Sequence, residues 1–331
     1  MKILFIGGSG QISQAVSQEA IRRNLDLYVL NRGNRNTVLP KGVHILKGDI
    51  NDKATIIPHL KAHDFDCIVQ WIAFTKDHLK RDYELFKGHT KQYIFISSAS
   101  AYQKPLLKTP ITEAMPIGNQ YWTYSENKAQ AENYLTALGD SEFNITIVRP
   151  SHTYDDKRIL MQLKPNDDHT YTMLNRMLKN KPIVVPNDGK TLWTLTHNSD
   201  FANAFCDLLG NPSAYNETYH LTSDKVYTWD EITDIIYRAL DRSPNILHIP
   251  VDFILKYFPH VEGELKGDKL SDAVFDNRKI KAISPNYTSK VGYEAIVDKA
   301  VAYYLDDSSN QKIDEAFEKT YDKMIDDYLK S

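Results

Sequence analysis

Only two cysteines, Cys67 and Cys206, occur in the 331 residues, each in an apolar setting. That excludes a disulfide framework and a cysteine metal cluster, and the expected state is two buried, reduced thiols. No long apolar run is present. The longest, around residues 67–74, contains Gln70 and falls short of a membrane span. The start, MKILFIGGSG, carries one lysine and an apolar run too short for an export signal, so a cytoplasmic protein is expected. Charge of one sign is also lacking. The formal net charge is -3, which gives no reason to expect a nucleic-acid or membrane-surface partner. The charged and apolar fractions, 25% and 42%, are those of a globular chain and exclude disordered and fibrous classes. Repeats and low-complexity linkers are missing too.

What is present is an alternation. Apolar strands are expected at 2–6, 27–30, 43–46, 67–70, 93–97 and 145–149, with helices at 12–24, 56–62 and 120–138 and a charged helix between the strands at 67–70 and 93–97. Strands apolar throughout, separated by helices, predict a parallel sheet covered on both faces: a Rossmann-type doubly wound α/β fold with a smaller C-terminal substrate lobe. Such sheets bind ligands beyond the carboxyl ends of their strands. After Pro150 the rhythm breaks. Residues 151–168 are irregular, helices are expected at 171–180, 201–209 and 230–240, 181–190 as an extended segment with turns, and 219–221 as one more strand of the main sheet. The expected division is a dinucleotide domain of residues 1–165 plus about 191–225, and a lobe of about 166–190 and 226–331. Near the end, Ile313, Phe317, Tyr321, Met324 and Tyr328 fall at helical spacing. An amphipathic helix packed on the body is expected, with a homodimer contact as the alternative.

The first strand runs straight into GGSGQIS, residues 7–13. Glycines between a strand and a helix permit a tight turn and close backbone approach to a pyrophosphate, which the helix N-terminus then meets with free amides. Gly7, Gly10, Gln11 and Ile12 are therefore candidate cofactor residues, with Ser13 where a third glycine is common. The second strand ends in Leu30, Asn31, Arg32, Gly33, without the acid that would take the ribose hydroxyls of NAD. Arg32, with Arg35 close behind, would accept a 2′-phosphate, so NADP(H) is favoured and NAD(H) is the alternative. Asp49 and Ile50 follow the third strand, where a polar residue can meet the adenine amino group. Ala73 completes the expected cofactor set.

Tyr124 and Lys128 lie four apart in a helical pattern and so share a face, and Ser97 and Ser98 end a strand. A tyrosine with a free pKa of about 10 needs a nearby cation to exchange protons at neutral pH, and a lysine one turn away supplies it. A serine hydroxyl can hold the same substrate oxygen. The remaining histidines show no metal-ligand spacing, and no metal is expected.

GGSGQIS, GDI, ISSASAY (96–102), YSENK (124–128) and RPSHTY (149–154), in that order, resemble the extended short-chain dehydrogenase/reductases, the NAD-dependent epimerase/dehydratase group. The resemblance implies a Rossmann core with a small substrate lobe, Ser98, Tyr124 and Lys128 as the catalytic trio, and Lys128 also on the nicotinamide ribose. It implies a reductase or epimerase acting at a hydroxyl/carbonyl carbon of a sugar, nucleotide sugar or similar small polar substrate. Four positions depart from the group. Ala99 and Ser100 stand where dehydratases carry an Asp-Glu pair. His152 stands where epimerases commonly have asparagine, and Trp193 where a phosphate-binding arginine precedes His197-Asn-Ser-Asp200. His152 and Trp193 are candidate substrate contacts, with packing as the alternative for each. A second class remains open, a catalytically silent dinucleotide-binding regulator or RNA-binding protein of the same fold, as in the chloroplast stem-loop RNA-binding proteins. The intact trio favours the enzyme.

Overall fold

A computed structural model describes residues 1–34 and 36–331; Arg35 lies outside the described residues. The strands are β1 (Lys2–Ile6), β2 (Asp26–Asn31), β3 (His44–Lys47), β4 (Phe65–Gln70), β5 (Thr90–Ile96), β6 (Asn144–Pro150), β7 (His152–Tyr154), β8 (Ile183–Pro186), β9 (Leu192–His197), β10 (Glu217–Leu221), β11 (Val226–Thr228) and β12 (Ile246–Ile249). The helices that position the site are α1 (Gln11–Arg22), α2 (Lys53–Ala62), α3 (Lys76–Phe86), α4 (Thr123–Ala137), α5 (Tyr171–Leu178), α6 (Asn198–Cys206) and α7 (Trp229–Ala239).

Seven strands form one parallel sheet in the order β10-β6-β5-β4-β1-β2-β3. β1, apolar apart from Lys2, suits its central position, because it is covered on both sides. Ile3 and Phe5 pack with Val16 and Ala20 of α1 and with Phe201 and Phe205 of α6. Leu4 and Ile6 pack with residues of α2, α3 and α4 on the other face. The chain winds outward from β1 to β3, then returns to β4, so the crevice at the carboxyl ends of β1 and β4 is the point where strand order reverses. The strand expected at 219–221 is β10, at the sheet edge beside β6. Cys67 and Cys206 are buried and free, and burial pushes both thiols up.

The second half adds two small sheets, β11-β9-β7 and β12-β8. They share a hydrophobic cluster with α5, α7 and the helices Val297–Leu305 and Glu315–Leu329. The extended segment expected at 181–190 contains β8, and the short strands β7, β9, β11 and β12 carried no period in the sequence. Ile280 and Tyr287 leave the second half and pack on the main sheet. In the terminal helix Phe317, Tyr321 and Met324 are buried against this body. Asp314 caps that helix through the Phe317 amide, so Ile313 precedes it and is exposed. Among the described residues no helix is long and apolar enough to cross a membrane.

Candidate active site

Two adjoining cavities open along the carboxyl edge of the sheet. The larger, about 550 Å³, runs from the glycine loop past Ser98, Tyr124 and Lys128 to His152 and Trp193. The smaller, about 270 Å³, lies between the ends of β1, β2 and β3. At the loop, Gly7 and Gly8 have φ of +95° and +107°. A Cβ on Gly7 would sit 2.8 Å from Ile72 Cγ2, so both the turn and the close approach require glycine. Gly10 differs: its φ is -84°, and a Cβ there would meet only Ser13 Oγ at 3.5 Å. Ser13 turns back on the loop, accepting from Gly10 N–H (2.9 Å) and donating to Gly10 C=O (3.0 Å). The amides of Gln11 and Ile12, in the first turn of α1, therefore remain for an anion. Gln11 Nε2 and Ser97 Oγ are buried without a partner, and both residues line the larger cavity. Positive-φ glycines, free first-turn amides and orphaned polar atoms along one groove fit a dinucleotide.

Asn31, Arg32, Asp49 and Ile50 all line the smaller cavity. Asn31 Oδ1 accepts from Gly33 N–H at 2.7 Å and Asp49 Oδ1 from Asn51 N–H at 3.0 Å. Arg32 is exposed, and no hydrogen bond or ion pair to a described residue engages it. Ala73 is fully buried and does not line either cavity; it meets the site through its carbonyl.

Lys128, 2% exposed, donates from Nζ to Ala73 C=O and to Ile96 C=O, each at 2.7 Å. Its ammonium sits 4.7 Å from the Phe74 ring centre, 4.8 Å from that of Phe95 and 5.9 Å from that of Tyr124. Burial pushes its pKa down to about 7. Tyr124 is half-buried, with its ring 4.9 Å from that of Trp122. Burial pushes the phenol up, while the nearby Ser98 hydroxyl pulls it down. The lowering of Tyr124 by Lys128 expected from the sequence is not found, because Lys128 directs two of its three donors at backbone carbonyls and is itself desolvated.

Ser98 sits just past β5. Its Oγ accepts from the Ser100 amide at 3.2 Å and lies 2.8 Å from Ser100 Oγ, which in turn accepts from Ser125 Oγ at 2.7 Å. Either hydroxyl can supply the proton of the Ser98–Ser100 bond; where Ser100 supplies it, the Ser98 O–H is left as a donor for the cleft. Ser100 and Ser125 were not singled out as site residues from the sequence; a polar α4 position four residues before a buried one was the available signal, and it is a weak one.

His152 and Trp193 meet: the indole Nε1–H donates to His152 Nδ1 at 2.9 Å. Trp193 is 2% exposed and lies 5.2 Å from the Trp229 ring, so it is mainly a packed residue. Burial, then the nearby Lys269, Arg158 and Lys164, drive His152 well below its ordinary pKa. The ring is neutral, and because Nδ1 accepts, its proton belongs on Nε2. Among the described residues no group of three or more His, Cys, Asp or Glu side chains could hold a metal.

Residues 3–221 match the model of the NAD dependent epimerase/dehydratase family. The chain belongs to this family. Members are nicotinamide-dependent oxidoreductases and epimerases, and the chain is an enzyme of that kind. A 2'-dehydrokanamycin reductase of Streptomyces kanamyceticus is 23% identical over 91% of this chain and 84% of its own length. Chloroplast stem-loop binding protein of 41 kDa b of Arabidopsis thaliana is 26% identical over 75% of this chain and 65% of its own length. UDP-glucose 4-epimerase of Bifidobacterium longum, solved with NAD+ and UDP, shares the fold with a TM-score of 0.72 at 16% identity, covering 94% of this chain and 100% of that one. Against this family background the cleft also contains charged residues that the motifs did not mark: Lys104, Arg158, Glu264, Asp268 and Lys269.

Proposed function

We propose that this family member moves a hydride to or from a hydroxyl/carbonyl carbon of a sugar, nucleotide sugar or similar small polar substrate, as a reductase or an epimerase, through Ser98, Tyr124 and Lys128. The observation that carries the reading is the convergence of the three side chains on one cleft continuous with the glycine loop. A nicotinamide dinucleotide, when bound, supplies or accepts the hydride. Tyr124 gives its phenolic proton to the substrate oxygen in reduction, or takes it in oxidation. The Ser98 O–H donates to that same oxygen and holds it near Tyr124. Lys128 has one ammonium donor left after its two carbonyl bonds, and that donor serves the cofactor ribose and the Tyr124 phenolate.

We further assign Gln11 and Ile12 amides to the pyrophosphate, Asn31 and Arg32 to the adenosine ribose and its 2′-phosphate, and Asp49 and Ile50 to the adenine. Arg32, exposed and without an ion-pair partner among the described residues, supports NADP(H) over NAD(H). On the substrate side, the His152 Nε2–H is a donor to a substrate hydroxyl, with Trp193 fixing the ring. The name of the 2'-dehydrokanamycin reductase supports reduction of a sugar ketone. We assign residues 1–165 and about 191–225 to the dinucleotide domain and most of the remainder to the substrate lobe.

The likeness to the stem-loop binding protein favours a second reading, a dinucleotide-regulated RNA binder. The net charge of -3 and the complete trio weigh against it. One experiment separates them: screen nucleotide sugars, free sugars and small ketones with both cofactors, then compare Tyr124→Phe. Loss of one buried hydroxyl should leave folding and cofactor binding nearly intact and slow turnover by about two to four orders of magnitude. Parental rates in Tyr124→Phe would refute the assignment, and bound nucleotide without turnover would favour the RNA binder.

A further inference from the structure

Most charges lining the cleft are already paired. Arg158 is 2.8 Å from Asp167, Lys269 is 2.7 Å from Glu264, and Lys128 is tied to two carbonyls. Two are not. Lys104, 5% exposed, and Asp268, half-buried, form no ion pair with any described residue, and no side-chain hydrogen bond to one engages either head group. They are near enough for each to stabilise the other's charge through space, yet they do not meet.

The position of Asp268 is fixed by its surroundings. It lies in a π-helical turn, Leu265–Lys269, a rare form that recurs at functional sites. Trp122 packs so closely on this segment that a Cβ on Gly263 would fall 2.6 Å from its Cδ1, and one on Gly267 2.9 Å from its Cβ. The buried Asn119 ties the same turn to the serine loop, donating to Gly267 C=O at 2.5 Å and to Ser100 C=O at 2.8 Å. The turn is thereby fastened to the segment leading into α4, and the Asp268 charge is felt at Tyr124.

An anionic ligand group here would face Asp268 and a cationic one Lys104. A neutral group that both donates and accepts satisfies the two together. We propose that Asp268 and Lys104 form a specificity-determining clamp for adjacent hydroxyls of an uncharged polyol ring, the carboxylate accepting from one hydroxyl and the ammonium donating to the next. This rests on the function proposed above and adds that the part of the substrate beside the reacting carbon is uncharged.

Burial raises the Asp268 pKa to about 6, with Lys104 and Lys269 opposing and Glu264 adding to the rise. Together with Tyr124 these are the charged and titratable groups that act on it. Neutral-sugar affinity should accordingly weaken as pH falls through about 6.

The test uses the full chain loaded with NADP+ or NAD+, and the probes are matched neutral, 2-amino and uronate forms of glucose and galactose, followed by ligand-observed NMR. The neutral form should bind best. Asp268→Asn and Lys104→Met should each weaken it about tenfold or more, with cofactor affinity and melting temperature held, and Asp268→Asn should remove the acid-side loss of affinity. Preference for the amino or the uronate form, failure of every probe to bind the loaded protein, or variants that bind like the parent would each overturn the clamp. If Tyr124-dependent turnover of a ketone survives that outcome, the proposed function stands without it. If the chain binds no dinucleotide, both fall.

Discussion

Lys128 should make the protein less stable at neutral pH than at alkaline pH, by an amount that can be measured. The residue is 2% exposed and its pKa is pushed by burial from 10.5 to about 7. Below pH 7 the folded and the unfolded chain both hold the proton, and the folded state bears the full cost of burying it, about 5 kcal/mol for a shift of this size. Between 7 and 10.5 only the unfolded chain holds it, so stability climbs with pH by about 1.4 kcal/mol per unit. Above 10.5 nothing further is gained. Lys128→Met removes the titration but strands the carbonyls of Ala73 and Ile96 at about 1 to 3 kcal/mol each. The two effects are similar in size, so the sign of the offset at pH 7 is not diagnostic, whereas its change with pH is. Equilibrium urea unfolding at pH 7 and 9 should show the parent gaining about 2 to 3 kcal/mol relative to Lys128→Met, at equal denaturant slopes. Parallel pH curves for the two proteins would refute the buried-charge argument.

Three further outcomes are expected. Gly10→Val should keep its melting temperature and lose dinucleotide binding by calorimetry, whereas Gly7→Val should misfold, because its φ is +95° and a Cβ would sit 2.8 Å from Ile72; normal binding by Gly10→Val would exclude the loop from the cofactor site. Arg32→Ala should lower NADPH affinity and leave NADH affinity unchanged, and a parent protein that prefers NADH would return Arg32 to a solvent role. Ser100→Ala removes the hydroxyl that orients the Ser98 proton and should lower kcat about tenfold with KM nearly constant; an unchanged kcat would mean that Ser98 orients itself.

The sheet was legible because β1, β4, β5 and β6 each carry a run of consecutive buried apolar residues, such as Ile3–Ile6, Cys67–Val69 and Tyr93–Ile96, a pattern that needs no tertiary knowledge. Element ends were less so: α1 stops at Arg22, where left-handed Asn24 follows, and α2 begins at Lys53 because Asp52 caps it. The second half was poorly legible for a related reason. Strands β7, β11 and β12 are three or four residues long, too short to display a period, and are held by pairing with distant segments. In the site, Ser98, Tyr124 and Lys128 announce themselves by spacing. Lys104 and Asp268 do not, since they are remote in sequence and line one cleft only because Trp122 and Asn119 hold the π-helical turn against the serine loop. Nothing in the composition distinguishes that lysine and aspartate from the others in the chain.

The stability cost of Lys128 is a consequence of where it is tethered. Ala73 follows β4, Ile96 ends β5, and Lys128 lies on α4, so one ammonium joins three elements at the crevice where strand order reverses. Bound this way its ammonium is committed to two backbone carbonyls. The phenol beside it is raised by burial while the ammonium is lowered, so neither group ionises readily on its own in this environment. The chemistry proposed for Tyr124 therefore depends on what the bound cofactor and substrate add to this cleft, since burial alone keeps the phenol protonated.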